Sequence, residues 1–258
     1  MNYDEAMSYI HKVGNFGSNY GLERTYKLLE LLGNPHKKGK FIHIAGTNGK
    51  GSTTAILVEL LKEKGYKVGM YTSPFLEEFE ERIQINGVNI PKSILAKLIT
   101  RIKAAVDKVI EKGYNHPTEF EIITCLMFLY FAEENIDYGV IEVGLGGRLD
   151  STNVITPILS IITSISFDHM NLLGNTLGEI AKEKAGIIKA GVPVVIYPQE
   201  EEALKSIKEK CLETKSKLIV TDISKGKFVN VVEEDNIYQL ININLADENI
   251  EVKLPLLG

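Results

Sequence analysis

Apolar and polar positions change period repeatedly along this chain. Tyr3, Ala6, Met7, Ile10 and Val13 recur at helical spacing, so the chain opens on a helix. A second helical pattern, Gly21 to Leu32, is stopped by Gly33-Asn34-Pro35. Lys40 to Ala45 reads as a strand that enters a Gly-rich turn, then a helix from about Ser52 to Lys64. Lys67 to Thr72 predicts the next strand, and Ile83-Gln84-Ile85-Asn86-Gly87 a small β turn element. Long helices follow at about Pro91–Lys112 and Thr118–Glu134. Strands return at Tyr138–Val143, Ile158–Ile165, Val192–Tyr197 and Leu218–Thr221. From Phe228 to Leu257 the pattern alternates and breaks often, which predicts β structure. The alternation specifies an α/β fold: a mainly parallel sheet flanked by helices, a phosphate loop, and a β-rich C-terminal tail. No repeat, low-complexity segment or long linker divides the chain.

Composition narrows the function. At 258 residues the chain makes one large domain or two small ones. With 44% hydrophobic and 24% charged residues it suits a soluble globular protein. A formal net charge of −5 argues against a general nucleic-acid or anionic-membrane binder. The longest near-apolar run, Ile122 to Ala132, is too short to span a bilayer. The opening residues show no basic stretch followed by an apolar one, so no secretory signal is expected. The two cysteines, Cys125 and Cys211, cannot build a disulfide framework or a metal cluster by themselves. A reduced, cytoplasmic setting is the expectation.

The predicted strand Phe41-Ile42-His43-Ile44 runs into Ala45-Gly46-Thr47-Asn48-Gly49-Lys50-Gly51-Ser52-Thr53-Thr54 and then a helix. Glycines let the backbone aim N–H groups at a phosphate, a helix N-terminus adds positive potential, and Lys50 adds a full charge. The spacing departs from the usual G-x-x-x-x-G-K-[ST]: position 44 is Ile, and Gly51 separates Lys50 from Ser52. A Gly-rich turn without ligand is the competing reading. Strand, loop, lysine and helix together outweigh it. His43, inside the strand, reads as structural.

Ligands of open α/β sheets bind outside the carboxyl ends of the strands. Ser73, Glu142 and the pair Asp168-His169 all follow or close predicted strands. A hydroxyl, a carboxylate and an imidazole converging near a triphosphate would suit Mg²⁺, although His is unusual for so hard an ion. Further on, Thr176-Leu177-Gly178-Glu179 matches a capping box. In the helix it starts, Leu177, Ile180, Ala181, Lys184, Ile187 and Ile188 share one face. An unpaired ammonium there is costly, so Lys184 should be paired, neutralised or modified, or else snorkel to water.

These stretches together resemble the folylpolyglutamate synthase and dihydrofolate synthase family of the Mur ligase superfamily. The matching segments are His43 to Ser52, Tyr71-Thr72-Ser73-Pro74, Glu142 to Asn153 with its Gly144-Leu145-Gly146-Gly147-Arg148-Leu149-Asp150 core, and Asp168-His169 followed by Glu183-Lys184-Ala185-Gly186-Ile187. The resemblance implies a Mur ligase central-domain-like fold and an ATP-dependent ligase. Such an enzyme phosphorylates a folate or dihydropteroate carboxylate, and the amino group of L-glutamate then attacks the acyl phosphate. It also implies roles. Gly46, Thr47, Asn48, Gly49, Lys50, Gly51 and Ser52 would hold ATP. Ser73, Glu142 and His169 would serve Mg²⁺, and Lys184 would do so as a carbamate. Lys50, His169 and Lys184 would be the catalytic residues. Folate would contact Leu22, Glu23, Arg24, Thr118, Glu119, Phe120 and Glu121, with Arg148 and Asp150 facing the same side.

The family is longer than this chain. Residues 1–258 are therefore expected to form the ATP-binding unit, without the family's C-terminal glutamate-binding domain, and to be inactive alone. A monomer without nucleic-acid or membrane partners is expected. A Mur-type amino-acid ligase and a non-catalytic nucleotide-binding module are the alternatives. Gly51 after Lys50 and the Gly-Leu-Gly-Gly-Arg-Leu-Asp segment favour the folate branch. A P-loop GTPase is disfavoured, because no Asn-Lys-x-Asp guanine-reading motif occurs.

Overall fold

A computed structural model describes residues 1–14, 21–233, 237–245 and 248–255. Helices α1 (Tyr3–Gly14) and α2 (Glu23–Leu31) precede β1 (Phe41–Ala45), α3 (Lys50–Glu63) and β2 (Val68–Tyr71). A hairpin, β3 (Ile83–Ile85) and β4 (Val88–Asn89), leads to α4 (Lys92–Glu111), α5 (Glu119–Glu133) and β5 (Tyr138–Glu142). Then come β6 (Leu159–Ile162), α6 (Met170–Leu173), α7 (Leu177–Ala185), β7 (Val194–Ile196), α8 (Glu201–Thr214) and β8 (Leu218–Val220). The chain continues through β9 (Gly226–Glu233), β10 (Ile237–Leu245) and β11 (Glu248–Leu254).

Eight strands form one sheet in the order β4-β3-β2-β5-β1-β6-β7-β8, parallel except at the β3–β4 edge hairpin. Strand β1 lies at its centre and is buried at all five positions, as a strand covered on both faces must be. Alternate residues serve opposite faces. Phe41 joins the apolar cluster of α1, α2, α4 and α5, whereas Ile42 and Ile44 meet Val58 of α3. A third cluster packs α7 and α8 over β6 and β7.

The predicted elements occur, with strands trimmed: Ile158–Ile165 is reduced to Leu159–Ile162, and Val192–Tyr197 to Val194–Ile196. Helix α8 has no predicted counterpart. Its buried stripe, Ala203, Ser206, Ile207 and Cys211, is narrow and contains a serine, so the apolar period is faint. The tail is β as expected, a three-stranded antiparallel sheet in the order β11-β10-β9. The predicted β segment runs to Leu257, and Leu256 and Leu257 lie outside the described residues. Among the described residues no helix is long and apolar enough to cross a membrane.

Candidate active site

The loop after β1 sits where the connections of the sheet diverge, with β5 on one side and β6 on the other. Gly46 has φ 153°, and a Cβ there would stand 1.8 Å from Thr163 Oγ1. Only glycine fits where the loop passes β6 so closely. Thr47 N donates to Ser164 O at 2.7 Å, and Thr47 Oγ1 to Ser166 O at 3.1 Å, so the β6 connection fixes the loop. Gly49, at φ 80° and ψ 5°, caps α3, and Lys50 begins the helix. The first-turn N–H groups of α3 thus open onto the end of the sheet.

Two lysines converge on one loop carbonyl. Lys50 Nζ donates to Gly46 O at 3.2 Å and to Thr47 O at 3.1 Å. Lys184 Nζ donates to Gly46 O at 2.8 Å from the other side. Lys184 is 2% exposed, so its ammonium does not snorkel to water. Burial pulls its pKa down to about 8, the neighbouring Lys50 charge adds to this, and Asp168 opposes it. Two cations and a helix N-terminus around one loop make a site for a polyanion.

Glu142 closes β5 beside Ile44 of β1, and it is buried. Burial raises its pKa to about 7, while the Lys50 charge and the neighbouring Ser73 N–H pull it back. Ser73, joined to Pro74 by a cis peptide, follows β2, the next strand outward. Gly51 also lies against Glu142: a Cβ added there would meet Oε2 at 3.6 Å. The structure therefore brings Lys50, Gly51, Ser73 and Glu142 together. His169 is exposed, at φ 45° and ψ 42°, in the connection after β6, and Asp168 Oδ1 lies 3.6 Å from its Nε2. Among the described residues no three His, Cys, Asp or Glu side chains converge to hold a metal ion.

A cleft of about 720 Å³ opens on the Ser73 side. Thr118, Glu119, Phe120, Glu121, Arg148 and Asp150, all expected on the folate side, line it. Leu22, Glu23 and Arg24 do not. Leu22 packs against the helical core, Glu23 is exposed, and Arg24 supports the wall from behind through Glu121, at 3.2 Å. Glu121 is 2% exposed and is also held by Thr25 Oγ1 at 3.1 Å and Thr118 N at 2.7 Å. Thr118 and Glu121 form the reciprocal cap that starts α5. The predicted box at Thr176 is only half made: Thr176 Oγ1 accepts from Glu179 N, but the Glu179 carboxylate accepts from Asn175 N. Asp150 is spent on the loop itself, accepting from Leu145 N and Thr152 N, each at 2.9 Å. Thr152 in turn bonds the His43 ring at 2.8 Å, and burial drives the His43 pKa down to about 3. His43 is structural, as expected. Arg148 pairs with Glu183 at 2.9 Å. Arg82 also lines the cleft. Nothing in the local pattern of Glu77 to Arg82 singles it out; only the pairing of β2 with β3 brings it there.

Residues 44–258 match the Mur ligase middle domain. The chain belongs to that family. Among its relatives, the dihydrofolate synthase/folylpolyglutamate synthase of Bacillus subtilis is 50% identical over 207 residues, 80% of this chain and 48% of that protein. The folylpolyglutamate synthase of Lacticaseibacillus casei is 45% identical over 196 residues, 76% of this chain and 46% of that protein. The chain spans about half the length of these curated relatives. The apo L. casei FPGS structure superposes with a TM-score of 0.91 at 38% identity, covering 100% of this chain and 63% of that one. A complex of FPGS with AMPPCP and folate gives 0.88 at 37% identity, with the same coverage. The family fold is therefore that of a Mur ligase middle domain, with the small antiparallel sheet after the parallel one.

Proposed function

We propose that the protein carrying this chain is an ATP-dependent carboxylate–amine ligase that joins L-glutamate to a folate or dihydropteroate, with residues 1–258 as its ATP-binding unit. The observation that carries this reading is the position of Ser73 and Glu142, between the cationic loop and the cleft. ATP phosphates would lie on Gly46 to Ser52, and the pteridine would occupy the cleft between α5 and the Gly144–Asp150 loop. A carboxylate at the end of the ligand would then meet the γ-phosphate beside Lys50.

Catalysis would begin when a carboxylate oxygen attacks the γ-phosphorus and ADP leaves. Lys50 would neutralise charge on the phosphoryl oxygens, since this chemistry needs positioning and charge stabilisation above all. The amino group of glutamate would then attack the acyl carbon, losing a proton and expelling phosphate. Buried Glu142, with Ser73 beside it, fits a hard divalent ion, because Mg²⁺ is commonly held by one or two carboxylates plus the substrate's own phosphates. His169 would join it from the β6 side. When bound, Mg²⁺ would neutralise and orient the phosphates. Burial that lowers the Lys184 pKa favours the neutral amine from which a carbamate forms. A carbamate there would turn the Gly46 side of the site from cationic to anionic, and so suit a second ion. The two buried free cysteines agree with a reduced, cytoplasmic setting, and we propose a monomer.

Glutamate-dependent ADP release with dihydropteroate and with tetrahydrofolate tests the reading. Release with either supports it. Release that requires instead an amino acid and a cell-wall nucleotide precursor would place the protein among the Mur-type amino-acid ligases.

A further inference from the structure

The phosphate loop leans on a neighbouring segment, residues 163–168, that belongs to no helix or strand. Thr163 N donates to Ala45 O at 2.9 Å, Thr47 N to Ser164 O at 2.7 Å, and Ser164 Oγ to Asn48 O at 3.3 Å. Thr47 Oγ1 donates to Ser166 O and accepts from Ser166 N, each at 3.1 Å. The regular pairing of β6 with β7 has already ended, at Ile162 and Ile196. Beyond such a ladder, backbone is only as well placed as the groups that take up its N–H and C=O.

On the β7 side that group is the side chain of Gln199. Its Nε2 donates to Thr163 O at 2.7 Å and to Tyr197 O at 2.9 Å, and its Oε1 accepts from Ile165 N at 3.0 Å. The carboxamide uses both N–H groups and its carbonyl, as a peptide unit would in one more rung between the strands. Turned end for end, it would set its oxygen against two carbonyls, so the three contacts fix its orientation. Residues 163–166 therefore bond Gln199 along one edge and the phosphate loop along the other. Gln199 does not line the cleft.

We propose that Gln199 is a positioning residue for the nucleotide: it holds residues 163–166 so that Thr47 keeps the loop in the shape that takes ATP phosphates. This rests on the phosphate-loop reading above and adds to it a residue outside the loop. The test is equilibrium binding of AMPPCP with Mg²⁺, and separately of dihydropteroate, to the protein carrying this chain and to its Gln199→Met, Thr47→Val and double variants. Thermal melts check folding. Methionine has about the length of glutamine and none of its hydrogen bonds. Gln199→Met should weaken AMPPCP about three- to thirtyfold, the scale of one or two lost hydrogen bonds, and leave dihydropteroate unchanged. Thr47→Val should do the same. The double variant should lose little more than the worse single one, because both substitutions break the same line of contacts. Should Gln199→Met not fold, Gln199→Asn, which keeps the amide but shortens its reach, is read in its place. Unchanged AMPPCP affinity, additive losses, or an equal loss for dihydropteroate would overturn the inference and leave the phosphate-loop reading in place. Wild-type protein that binds no AMPPCP would overturn both.

Discussion

The phosphate loop and the cleft beside it are built in opposite ways. The loop is local: ten consecutive residues, Ala45 to Thr54, supply its glycines, its lysine and its helix start. The cleft is assembled from segments far apart in the chain, among them Ser73, Arg82, Thr118–Glu121, Gly144–Ser151 and Asn171–Leu173. Tertiary pairs hold it, above all Arg24 with Glu121 across 97 positions of sequence. A loop held by its own turn and by the β6 connection, away from the cleft wall, should tolerate damage to the cleft. A cleft held by buried pairs should fail when one partner is removed.

The largest effect expected follows from that difference. Glu121→Ala takes the carboxylate away from buried Arg24 and removes the side-chain half of the reciprocal cap of α5, which should cost about 3–5 kcal/mol. The denaturant midpoint reads this directly. A shift no larger than that of an exposed substitution would mean the cleft wall does not depend on the pair. Lys50→Ala should do the reverse. It should weaken a fluorescent ATP analogue about ten- to a hundredfold with little change in the melting temperature. Equal affinity in the variant would sink the phosphate-loop assignment.

Two glycines sharpen the comparison within the loop. Gly46→Ala would drive a Cβ into Thr163 and should cost about 1–3 kcal/mol. Gly51→Ala makes only an ordinary contact with Glu142 and should fold normally. Similar melting curves for the two would contradict the tight passage of the loop over β6.

The smallest effect is a pH slope. His43, whose pKa is driven to about 3 by burial, takes up a proton less readily folded than unfolded, where its value is near 6.5. Its contribution is complete above pH 6.5 and is lost as pH falls towards 3. Urea midpoints at pH 7 and pH 5 should therefore diverge in the native protein and draw together in His43→Gln. Parallel behaviour would show that other groups set the acid limit.

The same difference explains what could be read before the fold was known. The loop was legible because each part of it is local: strand, glycines, Lys50, helix. The place of Lys184 on the apolar face followed from the spacing of Ile180, Ala181, Ile187 and Ile188, and of the two outcomes left open there the structure shows burial. Which carbonyl Lys184 reaches did not follow, since Gly46 lies 138 positions away. Most cleft positions came from resemblance alone, and Leu22, Glu23 and Arg24 do not line the wall, because a sequence match does not give the turn of the chain at the start of α2. Arg82 had no signal, since its place depends on the antiparallel return of β3 onto β2. Helix α8 escaped because its apolar stripe is thin.

Whether loop and cleft form one reaction site is tested most directly by following an oxygen atom. The protein carrying this chain would be given ATP, L-glutamate and a dihydropteroate or folate whose reacting carboxylate is labelled with oxygen-18. If the carboxylate in the cleft attacks the γ-phosphate on the loop, labelled inorganic phosphate should appear in step with the amide product, one labelled oxygen for each bond formed. Amide formed with unlabelled phosphate, or ATP hydrolysed without amide, would contradict a shared site.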